Sequence, residues 1–197
     1  MPARNAIFVV NAGSSSLKFQ CFSTNGDAIG RLYKGQITGI GVRPDMTVMD
    51  AEGRTLLREE FPVSDMPALP AAIARMAAWV DGLQDVELVA IGHRVVHGGP
   101  DFAEPVLVDA DVLAKLERYQ ELAPLHQPNN LAPIRMAMEI APDLPQVACF
   151  DTAFHRHKPA LADAYALPRR FFDAGVRRYG FHGLSYEYIA LQLPDIA

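Results

Sequence analysis

Residues 9–20 read VVNAGSSSLKFQ. An apolar run closes on Asn11, a glycine and three consecutive serines follow, and the chain resumes as alternating residues that carry Lys18. In the resumed stretch Leu17, Phe19 and Cys21 fall on one face, and Lys18 and Gln20 on the other, which is the period of a strand. A Walker A loop needs G-x-x-x-x-G-K-[ST] opening a helix, and here a strand follows instead. The chain therefore opens as a hairpin. The same turn has what a phosphate cradle needs: backbone N–H groups free to turn toward an anion, and Gly13, which can take positive φ and approach a ligand closely. Ser14, Ser15 and Ser16 add hydroxyls, and Lys18 shares a face with Ser16. Spacing alone leaves open a phosphate cradle and a serine-rich hairpin with a solvated lysine.

Outward from this turn, strands continue to about residue 63. "LYKGQITGI", "MTVMD" and "RTLLREEFPV" are separated by Asn-Gly, Gly-Val-Arg-Pro and Glu-Gly turn signals. The period then changes. Leu69, Ile73, Met76 and Val80 recur at helical spacing, with Ser64 or Asp65 as the cap. "VELVAIGHRVVH" reads as a buried strand broken by Gly92. A helix over 110–119 is capped by Asp109, and a third carries Leu131, Ile134, Met138 and Ala141 before Pro142. "QVACFD" is a further strand, and a short helix begins near Ser185. Five strands, helix, strand, two helices and strand give a meander feeding a parallel portion, an α/β fold with a mixed sheet. Regular alternation ends near Asp151, which divides the chain into domains at 1–150 and 151–197.

The chain has 197 residues, half of them apolar and 21% charged, with a formal net charge of -5. Such a composition is globular and gives no general attraction to nucleic acid or anionic membrane. No apolar run is long enough to span a bilayer, and the N-terminus lacks a signal-peptide h-region. A cytoplasmic protein is expected. Cys21 and Cys149 lie in strand-like runs and read as buried free thiols.

Four later clusters carry chemistry. In "GHRVVHGGP" (92–100), Arg94 and Val96 face one way and His93, Val95 and His97 the other. Arg94 pairs either with an anionic ligand or with a carboxylate elsewhere in the chain. "APLHQPNN" (123–130) places His126 between prolines at a helix entry, where it binds an anion or caps the helix. "ACFDTAFHRH" (148–157) ends a buried strand on Asp151, a position where α/β sheets place ligand sites and a reasonable Mg²⁺ anchor. Asp151, His155 and His157 could instead hold a transition metal. "RRYGFHGLS" (177–185) sets Phe181 and His182 between glycines that lend the backbone freedom, or is a surface basic patch.

Together, "NAGSSSLK", "GHRVVHGG", "PLHQPNN", "FDTAFH" and "RRYGFHG", in this order, resemble the acetate kinase family over nearly the whole chain. The resemblance implies a ribonuclease-H-like mixed sheet flanked by helices, as in the actin-like ATPase superfamily. It implies reversible transfer of the γ-phosphoryl group of ATP to acetate, giving acetyl phosphate and ADP, with Mg²⁺ or Mn²⁺. Carried onto this sequence, Asn11, Ser14, Ser16 and Lys18 surround the phosphates, and Asn11 and Asp151 place the metal. Arg94 holds the substrate carboxylate or the transferring group, and His126 and His182 donate to phosphoryl oxygens. Asp151 completes the catalytic set. Val96, Leu125 and Phe181 form the pocket for the acetate methyl. One methylene in such a pocket is worth only about 1–3 kcal/mol, so propionate is an expected secondary substrate.

Gln127 stands where the family usually has Asn, and Leu184 and Tyr186 where Thr or Ser and His are usual. The family's chains are roughly twice as long. Their other half carries glycine-rich adenosine-binding loops, a second transition-state arginine and a metal-binding glutamate, and a C-terminal segment returns to complete the first domain. Residues 1–150 correspond to the acid and phosphate side of the cleft, and 151–197 to the start of the nucleotide-binding domain. Little or no activity is expected of these residues alone. The family forms homodimers through the second domain. A propionate or butyrate kinase of the same fold, and a non-catalytic module that binds acyl phosphate, are the other functions compatible with these motifs.

Overall fold

The structure, a computed structural model, describes residues 3–24 and 29–196, apart from the side chain of residue 195. The Asn25-Gly26 turn signal lies outside the described residues. The alternation of the opening stretch becomes an antiparallel hairpin of β1 (Arg4–Ala12) and β2 (Ser16–Ser23), with Asn11 opposite Lys18. β3 (Gly30–Thr38), β4 (Asp45–Asp50) and β5 (Thr55–Glu60) extend it as a meander. β6 (Val86–Val95) joins the other side of β1 in parallel, and β8 (Gln146–Phe150) joins β6 in parallel. The two-residue β7 (Val106–Leu107), too short to register as a pattern, closes that edge antiparallel to β8. The order β5-β4-β3-β2-β1-β6-β8-β7 contains the ribonuclease-H-like core, three antiparallel strands followed by two parallel ones.

Parallel neighbours require crossovers. α1 (Leu69–Asp81) leads into β6, and α2 (Ala110–Arg118) and α3 (Gln127–Ile140) lie between β6 and β8. Leu17, Phe19, Phe8 and Val10 pack with Ile73 and Met76 of α1 in the larger core cluster. Val95 and Phe150 pack with Leu116, Leu131 and Ile134 of α2 and α3 in the smaller one. After β8 come two short helices, α4 (Ala160–Asp163) and α5 (Arg169–Asp173), and then α6 (Gly183–Ile196).

Two local expectations are corrected. β6 runs unbroken through Gly92, which is held in register by Val9 on one side and Val147 on the other. Neither Ser64 nor Asp65 caps α1. The Ser64 hydroxyl donates to Asp65, Ala68 takes the N-cap position without a side-chain bond, and a proline in the first turn presets the helical φ. By contrast, Asp109 caps α2 as expected, accepting from the Val112 N–H at 2.7 Å. Cys21 is buried and free, its thiol pushed up to about 11 by burial; Cys149 is free but only half-buried. No helix among the described residues is long and apolar enough to cross a membrane.

Candidate functional site

Strand alternation sorts the site before any side chain reaches across it. On β1 Phe8, Val10 and Ala12 point into the core, on β2 Leu17 and Phe19, and on β6 His93 and Val95. Asn11, Lys18 and Arg94 therefore share the opposite face. The last β1–β6 pair is Val10 with His93, so Asn11 and Arg94 follow together at the carboxyl ends of neighbouring parallel strands. From β1 the chain leaves toward β2, and from β6 it leaves toward β8. This is a topological switch point, where open α/β sheets place their ligand crevice.

A cleft of about 660 Å³ opens there. Asn11, Ser16 and Lys18 line it from the hairpin, Arg94 and Val96 from the end of β6, and Leu125 and His126 from the entry to α3. Asp151 lines it from just beyond β8, and Phe181 and His182 from the loop before α6. Every site residue chosen from the sequence lies in this wall except Ser14, which is exposed at the hairpin tip. Ala12, Gly13, Leu122, Ala123, Pro124 and Asn130 also line it. Asn130 was missed. A polar residue on the apolar face of a helix beside Leu131 and Ile134 was the available signal.

The hairpin turn is closed by Gly13 N–H donating to the Ser16 carbonyl at 2.8 Å. Gly13 does not use its conformational freedom: its φ is not positive, and an added Cβ comes only as near as 3.6 Å to the Ser16 carbonyl. The turn's suitability for an anion rests on its N–H groups, hydroxyls and Lys18.

Arg94 and Asp151 meet in a bidentate pair, Nε to Oδ1 at 3.0 Å and a terminal nitrogen to Oδ2 at 2.7 Å. The Asp151 side chain is 2% exposed and that of Arg94 33%. The hydrogen bond to Asp151 pushes the guanidinium further up from its ordinary value. The two alternatives for Arg94, an internal carboxylate and an external anion, are thus compatible. One edge of its planar fork is held by Asp151, and the side chain still faces the cleft.

His126 occupies the N-cap position of α3 without a side-chain capping bond, so its imidazole is not engaged as a cap and lines the cleft. His182 is the only described residue other than glycine with positive φ, at 58°. Left-handed backbone at a non-glycine residue costs on the order of 1–3 kcal/mol and clusters at functional positions. The flanking glycines serve close approach rather than flexibility. A Cβ on Gly180 lands 2.4 Å from the His155 ring, and one on Gly183 2.4 Å from the Asp151 carbonyl oxygen. The His155 ring nitrogen Nε2 lies 3.0 Å from the Phe181 carbonyl oxygen, which braces the same loop. Leu125 is 77% exposed and Phe181 40%, an open apolar lip. Arg177 and Arg178 lie outside the cleft wall, over the rings of Phe172 and Tyr165.

Two residues that sequence reasoning did not assign hold the frame. Gln127 is fully buried, accepts from the His97 N–H and donates to the His97 and Leu116 carbonyls. Both ends of its side-chain amide are thereby hydrogen-bonded. Thr152 Oγ1 accepts from the Gly98 N–H at 3.0 Å.

The oxygen donors in the wall, the Asp151 carboxylate, the Asn11 amide and the Ser16 hydroxyl, are hard ligands that fit Mg²⁺ or Mn²⁺ with water or phosphate oxygens completing the shell. A transition-metal centre on Asp151, His155 and His157 finds no support. No group of three metal-ligating side chains occurs among the described residues, His155 is turned to Phe181, and His157 lies 3.4 Å from Glu104.

Comparisons with known proteins point the same way. An acetate kinase from Rhizobium meliloti is 58% identical over 193 residues, covering 98% of this chain and 49% of that protein. A propionate kinase from Francisella tularensis superposes with a TM-score of 0.83 at 33% identity, and an acetate kinase from Porphyromonas gingivalis with 0.82 at 32%. Each superposition covers 98% of this chain and 49% of the other. The fold is that of these kinases, of the actin-like ATPase type, and the chain spans about half the length of the relatives it matches. The sequence profile of the Acetokinase family matches residues 6–196, and with that match the chain belongs to the acetokinase family.

Proposed function

We propose that this chain forms the acid- and phosphate-binding side of an acetate kinase site, acting in the cytoplasm on acetate and ATP. The observation that carries the reading is the convergence of five separated motifs on one cleft, with the Arg94–Asp151 pair facing it. In the reaction an acetate oxygen attacks the γ-phosphorus of ATP, the bond from that phosphorus to the β–γ bridging oxygen breaks, and ADP leaves. Acetate is already a nucleophile, so no strong base is required. The protein must bring two anions together and neutralise charge as it spreads over the transferring group. Arg94 holds the carboxylate, oriented by Asp151, while Val96, Leu125 and Phe181 enclose the methyl. Ser14, Ser16 and Lys18 hold the phosphates, and His126 and His182 donate to the transferring oxygens. Asn11 and Asp151 hold Mg²⁺, which when bound neutralises phosphate charge. Residues 151–197 begin a second domain whose remainder carries the adenosine site, and the dimer of the complete protein forms there.

The similarity to a propionate kinase and the open lip at Leu125 and Phe181 support a second reading, in which propionate is the preferred acid. Hydroxylamine trapping of the acyl phosphate decides between them, using a protein that extends this chain through the half present in its relatives. Acetate is expected to exceed propionate in kcat/KM by about tenfold or more. Reversal of that order makes the protein a propionate kinase, and absence of turnover with any short acid overturns both readings.

A further inference from the structure

The β1–β6 ladder stops at Val10 and His93, and the two strands part where the cleft begins. A parting ladder leaves backbone donors and acceptors that must find other partners. One side chain serves both sides of this opening. Asn130, on the first turn of α3, accepts from the Val96 N–H through Oδ1 at 2.9 Å and donates to the Ala12 carbonyl through Nδ2 at 2.7 Å. The amide orientation is dictated by its partners, since one is a donor and the other an acceptor. Asn130 is 4% exposed and lines the cleft. Ala12 precedes the Gly13–Ser16 turn, and Val96 follows Arg94 and is itself a cleft residue.

We propose that Asn130 is a positioning residue that sets the gap between the hairpin turn and the end of β6, and hence the separation of the phosphate and acid sides of the cleft. An amide has a fixed length between its oxygen and nitrogen. It spans the parted strands as a rigid spacer rather than as a flexible tether. Near-attack geometry demands reacting atoms about 3–3.5 Å apart, and a displacement of about 1 Å costs on the order of a hundredfold in rate. The kinetic consequence rests on the acetate kinase reading, whereas the structural one does not.

Two variants separate the arms of the spacer. Asn130→Asp keeps an acceptor for Val96 and turns an oxygen toward the Ala12 carbonyl, so only the hairpin side is released. Asn130→Ala releases both. In amide-resolved NMR, Asn130→Asp is expected to shift the Gly13 nitrogen, which shares a peptide with the Ala12 carbonyl, and to leave the Val96 proton hydrogen-bonded. Asn130→Ala is expected to move both, and Asn130→Ser replaces it if the alanine variant does not fold. In the extended protein, Asn130→Asp is expected to lower kcat tenfold or more and raise KM for ATP, with KM for acetate within twofold of wild type. Asn130→Ala is expected to raise both KM values.

Unmoved Gly13 and Val96 resonances overturn the spacer. So does a loss of folded protein with kcat and both KM values unchanged per folded molecule, because that is a merely structural role. If the wild-type extended protein phosphorylates no acid, the functional reading fails, and the resonance measurement still decides the spacer.

Discussion

His93 lies two residues before the end of β6 and points away from the cleft, into the core, where it is 2% exposed. Its Nε2 is 2.8 Å from Gln146 Oε1, and its Nδ1 has no partner among the described residues. An amide oxygen can only accept, so Nε2 carries a proton. Burial pushes its pKa down to about 4, with the Gln146 bond opposing. The sign follows from proton linkage. Below the unfolded value of about 6.5 the unfolded chain takes up a proton that the folded chain refuses, so stability is full above about 6.5 and falls toward pH 4. The loss from His93 over that window is on the order of 3 kcal/mol. Urea midpoints measured at pH 7 and pH 4.5 check it: His93→Gln is expected to show a distinctly smaller drop than wild type. A slope remains, because burial and the nearby Arg156 also push His97 down to about 4. The alternation in "GHRVVHGG" made these inward and outward faces legible. That His93 meets Gln146 was not legible, because the partner lies 53 residues away.

Glycine shows how elements override local propensity. Local propensity marks Gly92 as a break, yet it sits in a strand paired on both sides, and a Cβ there meets nothing nearer than Val9 Cγ2 at 3.7 Å. Gly35 lay unremarked in the middle of β3, but a Cβ there falls 2.1 Å from Phe19 Cζ. The Phe19 ring cannot swing aside, since Phe8 and Trp79 each pack on it with centroids 5.5 Å away. Gly92→Ala is therefore expected to leave stability within about 0.5 kcal/mol of wild type, whereas Gly35→Ala costs about 2 kcal/mol or more through overpacking. Chemical denaturation of the two variants checks the contrast. The same limit explains what else escaped the sequence. Apolar periodicity located the interiors of α1, α2 and α3 and every strand but the two-residue β7. The burial of Gln127 and Asn130 in the first turn of α3 was not legible, because hydrogen bonds to distant backbone rather than apolar contacts hold them.

At the scale of the molecule, the order of elements dictated a mixed sheet, and the sheet's switch point brings together residues drawn from positions 11 to 182 of the chain. The five motifs were visible singly as clusters of polar and small residues, and their meeting depends on the parallel placement of β1, β6 and β8. The cleft wall carries Lys18, Arg94, His126 and His182, the donors that the proposed function uses. Under the proposed function the adenosine pocket lies in the second half that the relatives carry. The most direct test is the initial rate of ATP- and acetate-dependent hydroxamate formation, measured for residues 1–197 alone, for the chain extended through the second half, and for the extended chain carrying Arg94→Ala. The expected result is turnover by the extended protein, a loss of a hundredfold or more with Arg94→Ala, and little or none from residues 1–197 alone. Equal rates with and without Arg94, or no acetate-dependent turnover by the extended protein, would contradict it.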